Sequence, residues 1–295
     1  MMRFSFLIRF IYQILLVIVF LFQTQLVSAQ TNQGIKEGYG VYTFKKGAYK
    51  GCTYSGQWHN YCMEGQGTMK FATGGMYVGQ WKANYFDGSG VLSSPDGETY
   101  EGEYVNGRKE GQGTYKWKDG NVYTGQWKNG MLEGQGKLVY SSGDFYEGQW
   151  VEGNRAGTGT FTWSNGDVYT GNWFHDEMSG EGTMKFAMGN SYTGTWVNSN
   201  REGNGIFTWP NGDVYEGAFQ NNLRNGQGTM KYANGDIYVG QWVNAKRQGI
   251  GTLTLKNGGG YDGMWKNDLM DGIGTYKYPD GTIYEGQWKE GNKVN

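Results

Sequence analysis

The sequence predicts an all-β protein: an elongated, single-layer, twisted antiparallel sheet, a meander of about 21 strands built from β-hairpin repeats of 23 residues. Three observations predict it. Glycine supplies 53 of 295 residues, proline only 3, and aromatic side chains make up 17 %. That is too little proline for collagen or a low-complexity linker, and too many rings for a disordered chain. Aromatics suit a pleated surface and glycines suit turns. Second, tyrosine recurs at 54, 77, 100, 123, 146, 169, 192, 215, 238, 261 and 284, every gap being 23 residues. Third, "WPNGDVYEG" (Trp209–Gly217) and its near-copies from Trp163 and Tyr232 set an Asn-Gly turn signal between two aromatic positions.

Residues 1–29 stand apart. "MMRFSFLIRF" carries Arg3 and Arg9 and no acid, "ILLVIVFLF" (Ile14–Phe22) is unbroken apolar, and Ser28 and Ala29 are small. This reads as a secretory signal peptide cut after Ala29. The apolar core falls short of the roughly 20 residues of a bilayer span. A secreted or extracytosolic location is expected, with membrane anchoring by an uncleaved segment as the alternative. Removing 1–29 leaves 24 basic against 27 acidic side chains, a net charge of −3, which makes no electrostatic case for nucleic acid.

Residues 30–53 read as an irregular cap with a partial repeat. Gly38, Gly40 and Gly47 keep the later spacing, and four extra residues delay the next tyrosine. Cys52 and Cys62 fall near opposite ends of one expected strand, about 20 Å apart. Two free or buried thiols are therefore the stronger reading, although the irregular lead-in leaves a bridge open.

Ten complete units fill 54–283 and a truncated one fills 284–295. With tyrosine as position 1, glycine holds positions 3, 12, 14 and 21, and tryptophan holds position 5 except at Tyr104 and Phe219. All three prolines (Pro95, Pro210, Pro279) fall at position 19, giving "PDG" or "PNG". Proline presets the first central place of a type I turn and glycine the left-handed residue after it. A three-residue turn with a glycine bulge follows, with position 16 opposite position 1 of the next unit, 14 opposite 3, and 18 opposite 22. Positions 1, 3, 5, 14, 16 and 18 then share one apolar face, because cross-strand partners do, and positions 2, 4, 15 and 17 form a polar back. Glycine at 3 opposite glycine at 14 clears a lane across which a neighbouring Trp or Tyr can lie flat. Positions 6–11 have no fixed residue type and read as a surface loop of about six residues. The last strand, Tyr284–Lys289, lacks a partner in sequence, and an open edge invites a homodimer.

The outer ring at position 18 is aromatic in eight units, and Trp117, Tyr140, Trp163, Phe186, Trp209 and Tyr232 form a candidate partner groove. Position 10, placed near the loop tip, is basic (Lys109, Arg155, Arg201, Arg224, Arg247) or apolar (Met63, Phe86, Leu132, Met178, Met270). The five cations form a candidate lipid-facing edge, blunted by acids at position 11 such as Glu64, Asp87 and Glu110. No helix follows any Gly-x-Gly pair, so none is a phosphate loop. His59 and His175 lack metal-ligand partners at the right spacing. Glu147 and Glu216 read as solvated back-face residues. No catalytic residue, metal or cofactor is expected.

"YEGQWVEGNRAGTGTFTWSNGDV" (146–168) resembles a MORN repeat (membrane occupation and recognition nexus), and the Tyr-x-Gly-x-Trp…Gly-x-Gly pattern runs in phase across 54–294. The resemblance implies a half-groove lined by the aromatic face and a non-catalytic role. Such proteins act as scaffolds, dimerise, and are proposed to bind phospholipid. Where the family pairs these repeats with a catalytic domain, this chain leaves only 30–53 and a short tail outside whole units. The expected function is a scaffold binding a protein partner or membrane lipid through its aromatic groove and loop edge. The alternative is an extracytosolic glycan- or cell-surface-binding module, because exposed rings also stack on sugars.

Overall fold

A computed structural model describes residues 34–294, so the signal segment 1–29 lies outside the described residues. The fold is all-β, and among the described residues there is no helix. The chain divides after Ser141. The first unit holds nine strands, from β1 (Glu37–Thr43) to β9 (Met131–Val139); the second holds fourteen, from β10 (Phe145–Val151) to β23 (Asn292–Lys293). Each is an antiparallel meander that does not close into a barrel. The expected strands are present, and β1 and β23 are additions at the two ends.

The second unit shows how each repeat folds. β11 spans Asn154–Thr162 and β12 spans Val168–Phe174. Their register sets Phe161 opposite Tyr169 and Gly159 opposite Gly171, the 16-to-1 and 14-to-3 pairing expected from the turn. The Trp163 N–H donates to Asp167 O and the Gly166 N–H donates to Trp163 O, both at 2.9 Å. Gly166 has φ +92°, so the connection is a type I turn closed by a left-handed glycine.

The other connection differs from the expected six-residue loop. β12 is followed directly by β13 (Glu177–Lys185), and only His175 and Asp176 lie between, with φ +48° and +68°. Two successive positive φ values make a type I′ hairpin turn, whose twist matches that of the strands. Positions 9–11 are therefore strand, and position 5 faces position 10, as Trp173 faces Met178. The strand accommodates this through a bulge at positions 12 and 13. The register slips between Gly148 and Gln149 across β10–β11, and Gly157 takes φ +56°.

The bulge frees a backbone N–H, and the position-4 side chain accepts it. Gln149 Oε1 takes the Thr158 N–H at 2.9 Å, and Gln126 Oε1 takes the Gln135 N–H at 2.8 Å. Further clips join each hairpin to the next. Position-11 acids accept the turn N–H of the following unit, as Glu110 does from Asn129 at 2.8 Å and Glu202 from Asn221 at 2.8 Å. These acids are bound to backbone rather than standing free beside the position-10 cations. Position-22 aspartates do the same at the other turn, Asp167 accepting from Ala187 at 2.8 Å.

At the C-terminal end, β22 (Ile283–Lys289) does acquire a partner, since the tail returns as β23 with Lys289 opposite Asn292. The short β23 covers only one end of that edge.

Candidate binding face

One face of each sheet carries the core. The ten position-1 tyrosines from Tyr54 to Tyr261 are at most 1 % exposed. Each ring lies over its own lane of glycines: a Cβ on Gly182 would meet Tyr169 Oη, with Cε2 and Cζ at 2.6 Å. The tyrosine hydroxyl then donates to the position-4 carbonyl, Tyr169 to Asn172 O at 3.0 Å and Tyr192 to Thr195 O at 3.1 Å. The lane is thus filled by the tyrosine of the same unit.

Position 5 locks these rings together. Trp173 meets Tyr169 edge-on at 5.2 Å, and Trp196 meets the same tyrosine from the next repeat at 5.4 Å. Each such contact adds about 0.5–1.5 kcal/mol beyond burial. The indole N–H donates across to a position-14 carbonyl, Trp173 to Gly159 O at 3.2 Å and Trp265 to Gly251 O at 2.8 Å. Rings and their polar tips are both satisfied, so this inner layer is closed. Burial pushes the phenols up: Tyr192 and Tyr215 rise to about 12. Tyr104, which stands where tryptophan is usual, is an exception. Its buried hydroxyl has no hydrogen-bond partner.

The outer rings form a second layer. Trp117 and Tyr140 in the first unit, and Trp163, Phe186, Trp209 and Tyr232 in the second, are all half-buried. Each leads into a type I turn, and the tryptophans tilt onto position-16 rings, Trp163 on Phe161 and Trp209 on Phe207 at 4.5 Å. Unlike those of the inner tryptophans, the indole N–H groups of Trp163 and Trp209 donate to no protein acceptor among the described residues.

The position-10 cations join this face rather than a loop tip, because position 10 pairs with position 5 in the ladder. Arg155 sits 4.5 Å over Trp173, Arg224 4.2 Å over Trp242, Arg247 4.2 Å over Trp265, and Arg201 5.1 Å over Phe207. Lys109 is enclosed by Tyr115 (3.8 Å), Trp127 (4.8 Å) and Tyr100 (4.9 Å). Burial pushes its ammonium down to about 7, with Glu98 opposing the shift. The sequence does not announce this seating, because positions 6–11 have no fixed residue type and so resemble loop rather than strand.

His59 pairs with Glu37 at 3.2 Å on the surface, and His175 occupies a turn. Glu147 and Glu216 are exposed on the polar back. A shallow pocket in the first unit is lined by Glu103 and Glu110, but these carboxylates accept from the N–H groups of Gln112 and Asn129. Among the described residues no cluster of three or more His, Cys, Asp or Glu can hold a metal ion, and Cys52 and Cys62 are free thiols. No helix among them is long and apolar enough to cross a membrane.

A serial hairpin array with a closed inner ring layer and an open outer one defines a repeat scaffold. The MORN repeat pattern matches residues 32–49, then ten consecutive 23-residue segments from 54–76 to 261–283, and finally 284–294. The chain belongs to the MORN-repeat family, a non-enzymatic repeat family whose arrays suggest scaffolds for protein or membrane binding. No curated protein matches the chain significantly in sequence. Among solved structures, it is similar to the G-box domain of the microcephaly protein CPAP (11 % identity, 68 % of this chain and 100 % of that one, TM-score 0.32). It is also similar to the TCP10 domain of Danio rerio CPAP in complex with a STIL peptide (12 % identity, 68 % and 96 %, TM-score 0.26). A third is streptogramin B lyase (12 % identity, 87 % and 85 %, TM-score 0.15). Scores this low transfer no function.

Proposed function

We propose that this chain is a non-catalytic scaffold that binds a protein partner on the outer layer of its aromatic face. The observation that carries the proposal is the contrast between the two layers. Every inner tryptophan described above spends its N–H on a backbone carbonyl, whereas half-exposed Trp163 and Trp209 keep theirs unused. Apolar rings with spare donors are what a peptide segment needs from a docking surface. The four position-10 arginines lie over rings and donate to backbone carbonyls. That arrangement favours a slender partner over a flat membrane, and binding of anionic lipid at a loop edge is the weaker reading.

The test compares partner capture from native cells by the unaltered chain, a Trp163→Ala/Trp209→Ala variant and a back-face Glu147→Gln/Glu216→Gln variant. Loss confined to the ring variant, with an unchanged circular-dichroism spectrum, supports the reading; equal capture by all three removes it. Titration with oligosaccharides, read by tryptophan fluorescence, tests the glycan alternative. Export after cleavage at Ala29 remains part of the proposal, supported by the composition of residues 1–29. N-terminal sequencing of the native protein decides it: a chain starting at Gln30 supports export, and one retaining Met1 in a membrane fraction means an anchored scaffold. The exposed part of the β22 edge is a second association surface, and light scattering at micromolar concentration reads whether it dimerises.

A further inference from the structure

Four of the five position-10 cations lie in the second unit, and they fall into two chemical kinds. Arg155 Nε meets Asp176 Oδ1 at 3.2 Å and Arg247 Nε meets Asp268 Oδ1 at 3.3 Å. In both, the carboxylate comes from position 8 of the following hairpin turn. Arg201 and Arg224 have Asn222 and Ala245 at that place. Each spends one Nη2–H on the carbonyl there, at 2.8 Å in both cases, and among the described residues neither has a carboxylate within ion-pair distance. These guanidiniums on adjacent repeats, half-buried over rings, thus lack a directly paired carboxylate, with Asp268 acting on Arg224 only from beyond ion-pair distance. Trp209 lies 5.7 Å from the Arg224 guanidinium and 4.5 Å from Phe207, the ring under Arg201, and among the described residues its indole N–H has no acceptor. Tyr232 follows, close enough to Arg224 and Arg247 for both to draw its hydroxyl downward against burial and against Asp268 and Asp213, and among the described residues that hydroxyl makes no hydrogen bond to the protein.

We infer that Arg201, Trp209, Arg224 and Tyr232 form a docking strip for an acidic amphipathic helix, whose carboxylates pair with the two guanidiniums and whose apolar side chain lies on Trp209. The inference rests on the aromatic-face reading above and adds to it the chemistry of the partner. Charge complementarity selects the occupant: the strip offers donors and cations, so the partner brings acceptors and anions. Spacing selects its form. Equivalent residues of adjacent repeats are two strands apart, about 10 Å, and seven residues of α-helix rise by about 10.5 Å. Carboxylates at i and i+7 therefore reach both arginines, and an apolar residue at i+3 or i+4 lands between them. An anionic bilayer fits less well, because the guanidiniums are half-buried over rings and tethered to backbone carbonyls rather than extended into solvent.

The test is a titration of the full chain with labelled helical peptides, read by anisotropy at low and moderate salt. One peptide carries Glu at i and i+7 around a Leu pair, a second carries Lys at the same places, and a third moves the second Glu to i+5. Three protein variants accompany them, the third being Trp209→Ala. Arg201→Met/Arg224→Met introduces the residue that already fills position 10 at Met178 and Met270, so the fold is expected to hold; Arg155→Met removes a cation that already has its carboxylate. The i/i+7 Glu peptide is expected to bind at least tenfold tighter than the other two, to lose at least tenfold in the double variant, and to change less than twofold in Arg155→Met. Equal binding of Glu and Lys peptides, both lost on Trp209→Ala, overturns the acidic partner while leaving the aromatic-face reading standing. Failure of every peptide to bind the folded chain overturns the strip, and the capture experiment above then decides the wider reading separately. Binding of phosphatidylserine vesicles lost in the double variant, with no peptide binding, assigns the strip to a membrane and overturns the proposal.

Discussion

Gly182→Ala separates two reasons for which a glycine is required in this fold. Gly182 is not in the left-handed region, yet a Cβ there falls 2.6 Å from Cε2 and Cζ of Tyr169 and closer to its hydroxyl. Carbon contacts settle near 3.5–4.0 Å, so the ring must shift by about 1 Å or more. Tyr169 then loses its 3.0 Å bond to Asn172 O and the edge contacts to Trp173 and Trp196. A hydrogen bond of about 1 kcal/mol and two ring contacts of about 0.5–1.5 kcal/mol each put the cost at roughly 2–4 kcal/mol. Gly153→Ala provides the comparison, since Gly153 has φ +80° and nothing within 4 Å of a new Cβ. Its cost is backbone strain alone, about 1–2 kcal/mol. Urea unfolding followed by tryptophan fluorescence measures both, and hydrogen exchange shows whether the Gly182→Ala effect centres on the strands around Tyr169, as near-neighbour coupling requires. If Gly182→Ala is no more destabilising than Gly153→Ala, the packing account of the paired glycines is wrong.

Other consequences can be checked in the same assays. Lys109 holds its proton less tightly when folded, so between pH 7 and its ordinary value of 10.5 the unfolded chain binds the extra proton and stability rises with pH. Lys109→Met should flatten that rise, and an unchanged slope between pH 6 and 9 would count against the buried amine. The inner tyrosines carry the opposite sign: their raised values mean that the unfolded chain loses protons first above about pH 10, so stability should fall there, with phenolate absorbance appearing only on unfolding. Tyr104→Trp restores the indole found at most other position-5 sites and replaces a buried hydroxyl that has no partner. It should stabilise by about 1 kcal/mol, and a lower melting temperature would refute that.

Much of the fold was legible because the repeat states each requirement about ten times. Tyr54 to Tyr284 fixed the period, and "PNG" at 210–212 fixed the turn type and with it the pairing of Phe161 with Tyr169. The second turn was hidden because few of its members spell it. "VNGRKE" and "KNGMLE" contain the Asn-Gly of a type I′ hairpin, but His175–Asp176 and Ala83–Asn84 adopt it without glycine. Side chains such as Asn84, which accepts the Met63 N–H at 2.8 Å, help hold those turns against the preceding hairpin. The candidate face was half legible. The outer rings stand out at position 18, whereas the seating of Arg155 or Lys109 on rings depends on a bulge that no single residue announces.

The clips between hairpins carry a consequence for how such a chain can change. Asp167 reaches 20 residues forward to Ala187, and Glu202 reaches 19 forward to Asn221. Most units thus present an acceptor at position 11 or 22 and the matching donor to the unit before. Excising one 23-residue unit brings an acceptor to a donor of the same kind, so the cut rejoins like surfaces. Length is therefore adjustable in whole steps by unequal recombination, with little new interface to invent. Positions 8 and 10 are the places where a retained step can be given its own charge, as Asn222 and Ala245 have done for Arg201 and Arg224.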